Sequence, residues 1–370
     1  MDKANLALVR YLLSRRERLH LVGHEIDPWL AAHEMVTAHR VPVPAGSRFF
    51  GSPLLDMTAR TVARRLRRNG GQVHTVANGG NFLQGDINWV HCVHSAWHRN
   101  YENGPGWFQA KNRIAHAAEC RREYKAFRRA RVIVANSNLT KRYIQECLGG
   151  ESPKVHTVYL GSDPGFRPPT DEERLQARRR WGIAPGRRVA LFVGALGLDN
   201  NKGFDTLFET WRRLCGDPDW DVDLLAAGGG RAVPEWKAKV RGARLEDRIR
   251  MLGFCDEIPE LLAAADLLVS PVRYETYGLN VHEAVCRGLP ALTSARAGIA
   301  ERFPEELRAM LLLDPENIPH CIERLMMWRS NPEDWAARFR RFGTVLNQRD
   351  WNRMSVEIIE LIERSLLTGI

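Results

Sequence analysis

Two glutamates, Glu275 and Glu283, lie eight apart in DLLVSPVRYETYGLNVHEAVCRGLP (266 to 290). This stretch reads as a short apolar strand (Leu267, Leu268, Val269) broken at Pro271, then a polar loop. A helix restarts at Gly278 and stops before Gly288-Leu289-Pro290. Glu275 falls on the loop at the carboxyl end of the strand, and Glu283 about one and a half turns into the helix, so both side chains can converge on one ligand. Between them, the N–H groups near Leu279 and Asn280 have no acceptor within the helix and carry the positive end of its dipole. That suits a phosphate. Gly278 leaves room for close approach, and a carboxylate on either side can accept from hydroxyls, which suggests a sugar on one side and a ribose on the other. Two glutamates at this spacing are by themselves more often solvated. Glu283, however, sits among small and apolar residues in VHEAVC, where a carboxylate needs a partner or a task.

Two further groups have suitable chemistry. Lys202-Gly203, in LFVGALGLDNNKGFDTLFETW, opens a helix after a strand, where an ammonium can reach a diphosphate as a point charge. In INWVHCVHSAWHRNY, His91 and His94 are three apart on an expected strand and point to opposite faces, so with His98 they make a poor metal set. His94 comes at the carboxyl end of that strand, where open α/β sheets bind ligands.

The frame of strand, Pro, Glu, aromatic-Gly-Leu, Glu-Ala and Gly-x-Pro resembles the signature of the retaining nucleotide-sugar glycosyltransferases of family 4. The resemblance is dense in the C-terminal half. It is looser in the N-terminal half, where Ala135-Asn136-Ser137, YLGSDPGFRP and the histidine strand carry it. It implies a GT-B fold, α/β, with two Rossmann-like doubly wound domains of parallel sheet facing a cleft. Residues 1–165 would form the acceptor-side domain, 171–350 the donor domain, and a C-terminal helix, about 351–367, would cross back to the first. By the same resemblance Glu275 and His94 are catalytic, Glu275 accepting from the donor sugar and His94 lying beside sugar and acceptor. Lys202, Gly203, Gly278, Leu279, Asn280 and Glu283 bind the donor, with Glu283 on the ribose, and Phe254 and Cys255 lie by the base. The expected chemistry is transfer with retention, without metal or other cofactor, from a nucleotide-diphosphate sugar to a glycan or lipid-linked acceptor in envelope or polysaccharide assembly. In the family the strand before Lys-Gly commonly ends Val-Gly-Arg; here Ala195 stands for that arginine. One expected cation is therefore missing.

Composition frames these expectations. The 370 residues are 44% hydrophobic and 26% charged, ordinary for a folded two-domain chain. The net charge of +10 is bunched in RRLRR (64 to 68), CRREYKAFRRAR (120 to 131) and ARRR (177 to 180). Such clusters suit anionic lipid or phosphorylated ligands, and without an RNA-binding or zinc-finger consensus nucleic acid is not expected. The seven cysteines form no C-x-x-C pair, and neither a signal peptide nor an apolar run of about 18 residues is present. The expected location is cytoplasmic, with peripheral contact at the inner face of an anionic membrane.

The chain opens on an amphipathic helix (2 to 18) ahead of the strand LHLVG, whereas a doubly wound domain normally starts with a strand and a Gly-rich turn. The expectation is a first strand missing through an internal start. After Pro42 and Pro44 come a helix near 53–68, strands VHTVA and INWVHCVHS, a basic helix near 110–129, strand RVIVANS, a helix at 139–147 and strand KVHTVYL. GSDPGFRPPT (161 to 170) reads as a linker. VALFVGAL, DLLAAGG, IRMLGF, DLLVSP, PALTSA and MLLLD then give a second parallel sheet.

Three tempting motifs fail. Asp221-Val222-Asp223 imitates a metal-binding D-x-D at the entry to a strand, and His33-Glu34 with His39 has the wrong spacing for H-E-x-x-H. Gly228-Gly229-Gly230 lacks the dinucleotide fingerprint. Two other readings stand beside the transferase: a non-catalytic nucleotide-sugar-binding or scaffold protein, supported by Ala195, and a sugar-nucleotide epimerase, which the glutamate frame fits less well.

Overall fold

The structure is a computed structural model describing residues 2–44, 48–70, 72–97 and 106–367; His98 lies outside them. In chain order the strands are β1 (Leu19–Gly23), β2 (Val36–Arg40), β3 (Val76–Ala77), β4 (Ile87–Val90), β5 (Val132–Ala135), β6 (Val155–Thr157), β7 (Arg188–Val193), β8 (Val222–Ala227), β9 (Ile249–Gly253), β10 (Leu267–Ser270), β11 (Ala291–Ser294) and β12 (Leu311–Leu312). The helices are α1 (Asp2–Ser14), α2 (Pro28–Ala31), α3 (Arg48–Arg68), α4 (Gly106–Arg129), α5 (Asn138–Leu148), α6 (Asp171–Arg180), α7 (Phe204–Leu214), α8 (Val233–Gly242), α9 (Ile258–Ala264), α10 (Leu279–Cys286), α11 (Ile318–Ser330), α12 (Pro332–Asn347) and α13 (Trp351–Leu367). Every ladder among the described residues is parallel, as expected of α/β alternation.

The chain divides into two compact units, and among the described residues the first comprises 2–97, 106–161 and 351–367 and the second 162–350. In the first unit, strands pair in the order β3-β4-β5-β6, with β1 and β2 as a separate pair. Strands β4 and β5 are buried along their whole length, so they read as unbroken apolar runs. Val90, Val93, Phe127, Ala130, Ile133 and Ile144 pack into one core cluster. Helix α5 begins where the Ser137 hydroxyl accepts from the Thr140 N–H and ends at Gly149, left-handed at φ 85°.

VTAHR forms β2, which was not anticipated because its His and Arg hide the alternation that its pairing with β1 reveals. The histidine strand is shorter than expected: β4 stops at Val90, opposite Ala135, the last residue of its partner. Without ladder partners beyond that point the chain turns, and His94 opens a single 3₁₀ turn, so His91 and His94 do not share a strand. His91 instead packs on the Trp89 ring, 4.5 Å between centroids, and burial pushes its pKa down to about 3.

In the second unit the strand order is β12-β11-β10-β7-β8-β9. Counted within the unit this is the doubly wound order, whose direction reverses between β7 and β10, and the carboxyl ends of those two strands frame the crevice where such sheets bind ligands. Asp266, just before β10, accepts from the Val189 N–H at 2.8 Å and from the guanidinium of Arg174 at 2.7 Å, tying β10 to β7 and α6. Helix α6 starts on a capping box of Thr170 and Glu173.

Candidate active site

Lys202 and Glu275 meet at this switch point. The loop after β7 and the loop after β10 are zipped together: Asn201 donates from Nδ2 to the Tyr274 carbonyl at 3.0 Å and accepts from the Tyr274 N–H at 3.1 Å. The Arg273 N–H donates to the Asn201 carbonyl at 2.8 Å, and its guanidinium grips both carboxylate oxygens of Asp205 on α7. Helix α7 can start here only because residue 203 is glycine: at φ 70°, a Cβ would lie 1.9 Å from the Pro271 carbonyl oxygen. Gly203 therefore serves close packing of the two loops, which brings the Lys202 ammonium 2.5 Å from Glu275. Burial works against that ammonium's charge, but the Glu275 carboxylate more than offsets it, so its pKa stays above the usual lysine value.

Helix α10 starts at Gly278, left-handed at φ 99°. A Cβ there would touch Ile299 Cγ2 at 3.0 Å, because the loop lies on segment 297–299 through bonds from the Gly298 and Ile299 amides to the Glu275 and Tyr277 carbonyls. Leu279 opens the helix, half-buried, as its first residue. Asn280 does more than offer its amide: its Nδ2 donates to the Val193 carbonyl at 3.0 Å and lies 3.3 Å from Ser270 Oγ, fixing the helix start across the ends of β7 and β10. Glu283 is 8% exposed, one turn further in. Lys202, Glu275 and the first turn of α10 thus converge at one corner of the sheet, offering one ammonium, a helix N-terminus and two carboxylates.

The glycine turn after β8 builds the next wall. A Cβ on Gly228 would lie 1.8 Å from the Gly194 carbonyl oxygen and one on Gly230 2.1 Å from that of Leu196, so only glycine permits this approach. Phe254 follows β9 with 78% of its surface exposed, an aromatic face beside Gly229. The Cys255 Sγ lies 3.4 Å from Glu257 Oε2, and burial raises its thiol pKa. Asp221 and Asp223 are both engaged by guanidinium groups, Asp221 by Arg329 at 2.6 Å and Asp223 by Arg187 at 2.6 Å and Arg248 at 2.9 Å. Among the described residues, no group of three or more His, Cys, Asp or Glu is placed to hold a metal ion.

His94 belongs to the first unit, where a residue that sequence reading missed holds it in place. Glu123 on α4 is fully buried; one oxygen accepts from the His94 backbone N–H at 2.7 Å and the other lies 2.9 Å from His94 Nδ1. The Glu123 carboxylate favours a proton on Nδ1, and Nε2 lies 3.6 Å from the Glu119 Oε2 of a second carboxylate. The signal was present in the basic helix: Glu123, Ala126 and Phe127, with Ala130 just past its end, follow the spacing of a buried helix face, which puts a carboxylate where only a partnered one is stable.

A family model described as "Glycosyltransferase Family 4" matches residues 4–166, and one described as "Glycosyl transferases group 1" matches 187–327. The lipopolysaccharide core biosynthesis mannosyltransferase LpsB of Rhizobium meliloti is 28% identical over 223 residues, 55% of this chain and 60% of that protein. The match spans about half the length of the curated relatives found. Among solved structures, WaaG, a glycosyltransferase involved in lipopolysaccharide biosynthesis, superposes with a TM-score of 0.76 at 17% identity, covering 97% of this chain and 95% of WaaG. Anabaena HepE, solved with UDP and glucose, gives a TM-score of 0.74 at 18% identity, covering 98% and 96%. With both family models matched in order and the fold shared along almost the whole chain, this protein belongs to the family 4 glycosyltransferases of the GT-B fold.

Proposed function

We propose that the protein is a retaining, metal-independent glycosyltransferase that moves a sugar from a nucleotide-diphosphate donor to a glycan or lipid-linked acceptor of an envelope or surface polysaccharide. The observation that carries this is the convergence of Lys202, Glu275 and the N-terminus of α10 at the sheet's switch point. Lys202 and the Leu279 and Asn280 amides neutralise the diphosphate as it leaves, stabilising charge where it develops. The glycosidic bond to that phosphate breaks as the acceptor hydroxyl bonds to the same face of the sugar. Glu283 accepts from the ribose, Glu275 from the sugar hydroxyls, and Phe254 offers a face to the base with Cys255 beside it. On the first unit, His94 takes the acceptor hydroxyl's proton at Nε2 while Glu123 holds its ring. Lysine and helix dipole supply the positive charge that a metal would otherwise provide.

The test is a thermal-shift panel of UDP, GDP and ADP and their sugar conjugates, with and without EDTA. HepE, solved with UDP and glucose, makes the uridine compounds the first choice. Stabilisation is expected from one base, unaffected by EDTA and lost in Glu283→Ala. A response to no nucleotide would remove the donor site. Nucleotide binding without donor hydrolysis or transfer would favour the non-catalytic reading that Ala195 supports, and isomerised donor without acceptor would favour the epimerase.

The first unit also offers a surface for an anionic bilayer. Along α4 one exposed stripe runs Trp107, Lys111, Ile114, Arg121, Lys125, Arg128, and along α3 another runs Phe50, Met57, Arg64, Arg68. Apolar residues that can enter the headgroup region beside cations that attract its charge are the pattern of a peripheral contact. No helix among the described residues is long and apolar enough to cross a membrane. In this reading the protein works in the cytoplasm at the membrane's inner face. Phosphatidylglycerol vesicles at low salt are expected to carry the protein in flotation, with binding lost at high salt and in Lys125→Glu/Arg128→Glu. Protein left unbound at low salt would sink the membrane role.

A further inference from the structure

His282 lies on α10 one residue before Glu283, is 1% exposed, and has a polar partner at each ring nitrogen. Its Nε2 lies 2.8 Å from Ser162 Oγ and its Nδ1 2.7 Å from the Tyr277 hydroxyl. The directions follow from the acceptors. Ser162 Oγ donates to the Leu346 carbonyl at 2.9 Å, and a carbonyl can only accept, so towards His282 the serine oxygen accepts and Nε2 carries the proton. Nδ1 is then the acceptor and the Tyr277 hydroxyl donates to it, while the tyrosine oxygen accepts from Arg302 Nη1 at 3.3 Å. Burial, with Arg302 and Arg349 nearby, pushes the His282 pKa down to about 3, so the ring stays neutral and the directions hold throughout the physiological range.

The two ends of this chain of bonds have different tasks. Tyr277 immediately precedes Gly278, the residue that starts α10, and its carbonyl accepts from the Ile299 amide. Ser162 is the first described residue of the second unit, and its backbone N–H donates to the Arg349 carbonyl while it bridges to Asp350, the unit's last residue. The chain's entry into residues 162–350 and its exit from them thus meet at Ser162. Helix α10 is also seated on α12 without a spacer: a Cβ on Gly343 would lie 2.2 Å from the Val285 carbonyl oxygen. Asn347 Nδ2 donates to the Cys286 carbonyl at 3.1 Å. A buried apolar side chain at 282 would pack there as well as a histidine, but it could not fix the position of a serine and a tyrosine at once.

We propose that Ser162, His282 and Tyr277 are positioning residues that set the N-terminus of α10 from the point where the chain crosses between its units, so that affinity for the donor's diphosphate depends on Ser162, which need not touch it. The proposal rests on the donor-site reading above.

The experiment is calorimetric titration of UDP, GDP and ADP into the wild type, Ser162→Ala, Tyr277→Phe, the double variant and Glu283→Ala. Each single variant is expected to weaken the preferred diphosphate about fivefold or more, and the double variant no more than the weaker-binding single one, because both cut the same chain of bonds. A purely structural role would lower the melting temperature and leave affinity as in the wild type, and that result would overturn the relay, as would single effects that multiply in the double variant. The mildest variant, Tyr277→Phe, keeps the ring's packing, so the relay can be read even if Ser162→Ala folds poorly. Wild type that binds no diphosphate would overturn the donor-site reading and the relay together. Tight binding that only Glu283→Ala abolishes would overturn the relay alone.

Discussion

Lys202→Ala is expected to lower donor turnover by about two to three orders of magnitude, the range seen when one group that stabilises developing charge is removed. The family's second cation is replaced by Ala195, so this lysine should carry more of the charge than it would beside an arginine. The variant also removes the partner that lies 2.5 Å from Glu275, leaving that carboxylate close to where the phosphates would sit. Like charges repel, so binding should weaken in proportion to phosphate charge: strongly for the diphosphate, less for the monophosphate, and hardly at all for the nucleoside. Titrating the three ligands into wild type and variant checks this order. If diphosphate affinity matched the wild type, Lys202 would be only a structural partner of Glu275.

The fold of the second unit was legible because its strand pattern and its packing use the same residues. Strands β7, β8, β10 and β11 are covered on both faces and appear as near-continuous apolar runs, and each loop of the candidate site begins where such a run ends. Gly203 and Gly278 announced helix starts in the sequence, and both are left-handed in the structure. What could not be read was how neighbouring loops hold one another. Asn201 and Arg273 bring Lys202 to Glu275 through contacts across about 70 residues, and nothing local distinguishes an asparagine that clamps a loop from one that is solvated. His282 was hidden likewise, since its partners are 5 residues away at Tyr277 and 120 away at Ser162. On the first unit β3 shrank to two residues and β2 went unseen, because short, polar strands owe their existence to their partners and not to their own pattern.

Glu123→Gln is expected to lower turnover roughly 10- to 100-fold while leaving the affinity for the nucleotide diphosphate unchanged, because a general base is only as effective as its placement and protonation state allow. The geometry makes the amide a poor substitute. Glu123 accepts through both oxygens, from the His94 backbone N–H and at its Nδ1, and a glutamine has only one acceptor atom to offer. One of these contacts must therefore break or turn round, and if the amide N–H₂ faces the ring, Nδ1 becomes the acceptor and the proton moves to Nε2. His94 would then present a donor where the acceptor hydroxyl needs a base. This switch acts through His94 alone, so His94→Ala combined with Glu123→Gln should be no slower than His94→Ala. Steady-state transfer with the four proteins of that cycle, alongside nucleotide titration, separates the possibilities: effects that multiply would mean that Glu123 contributes independently of the histidine, and weakened nucleotide binding would mean that α4 shapes the donor site. A slowed Glu123→Gln with intact nucleotide binding and no added loss in the double variant would identify the His94–Glu123 pair as a single catalytic unit.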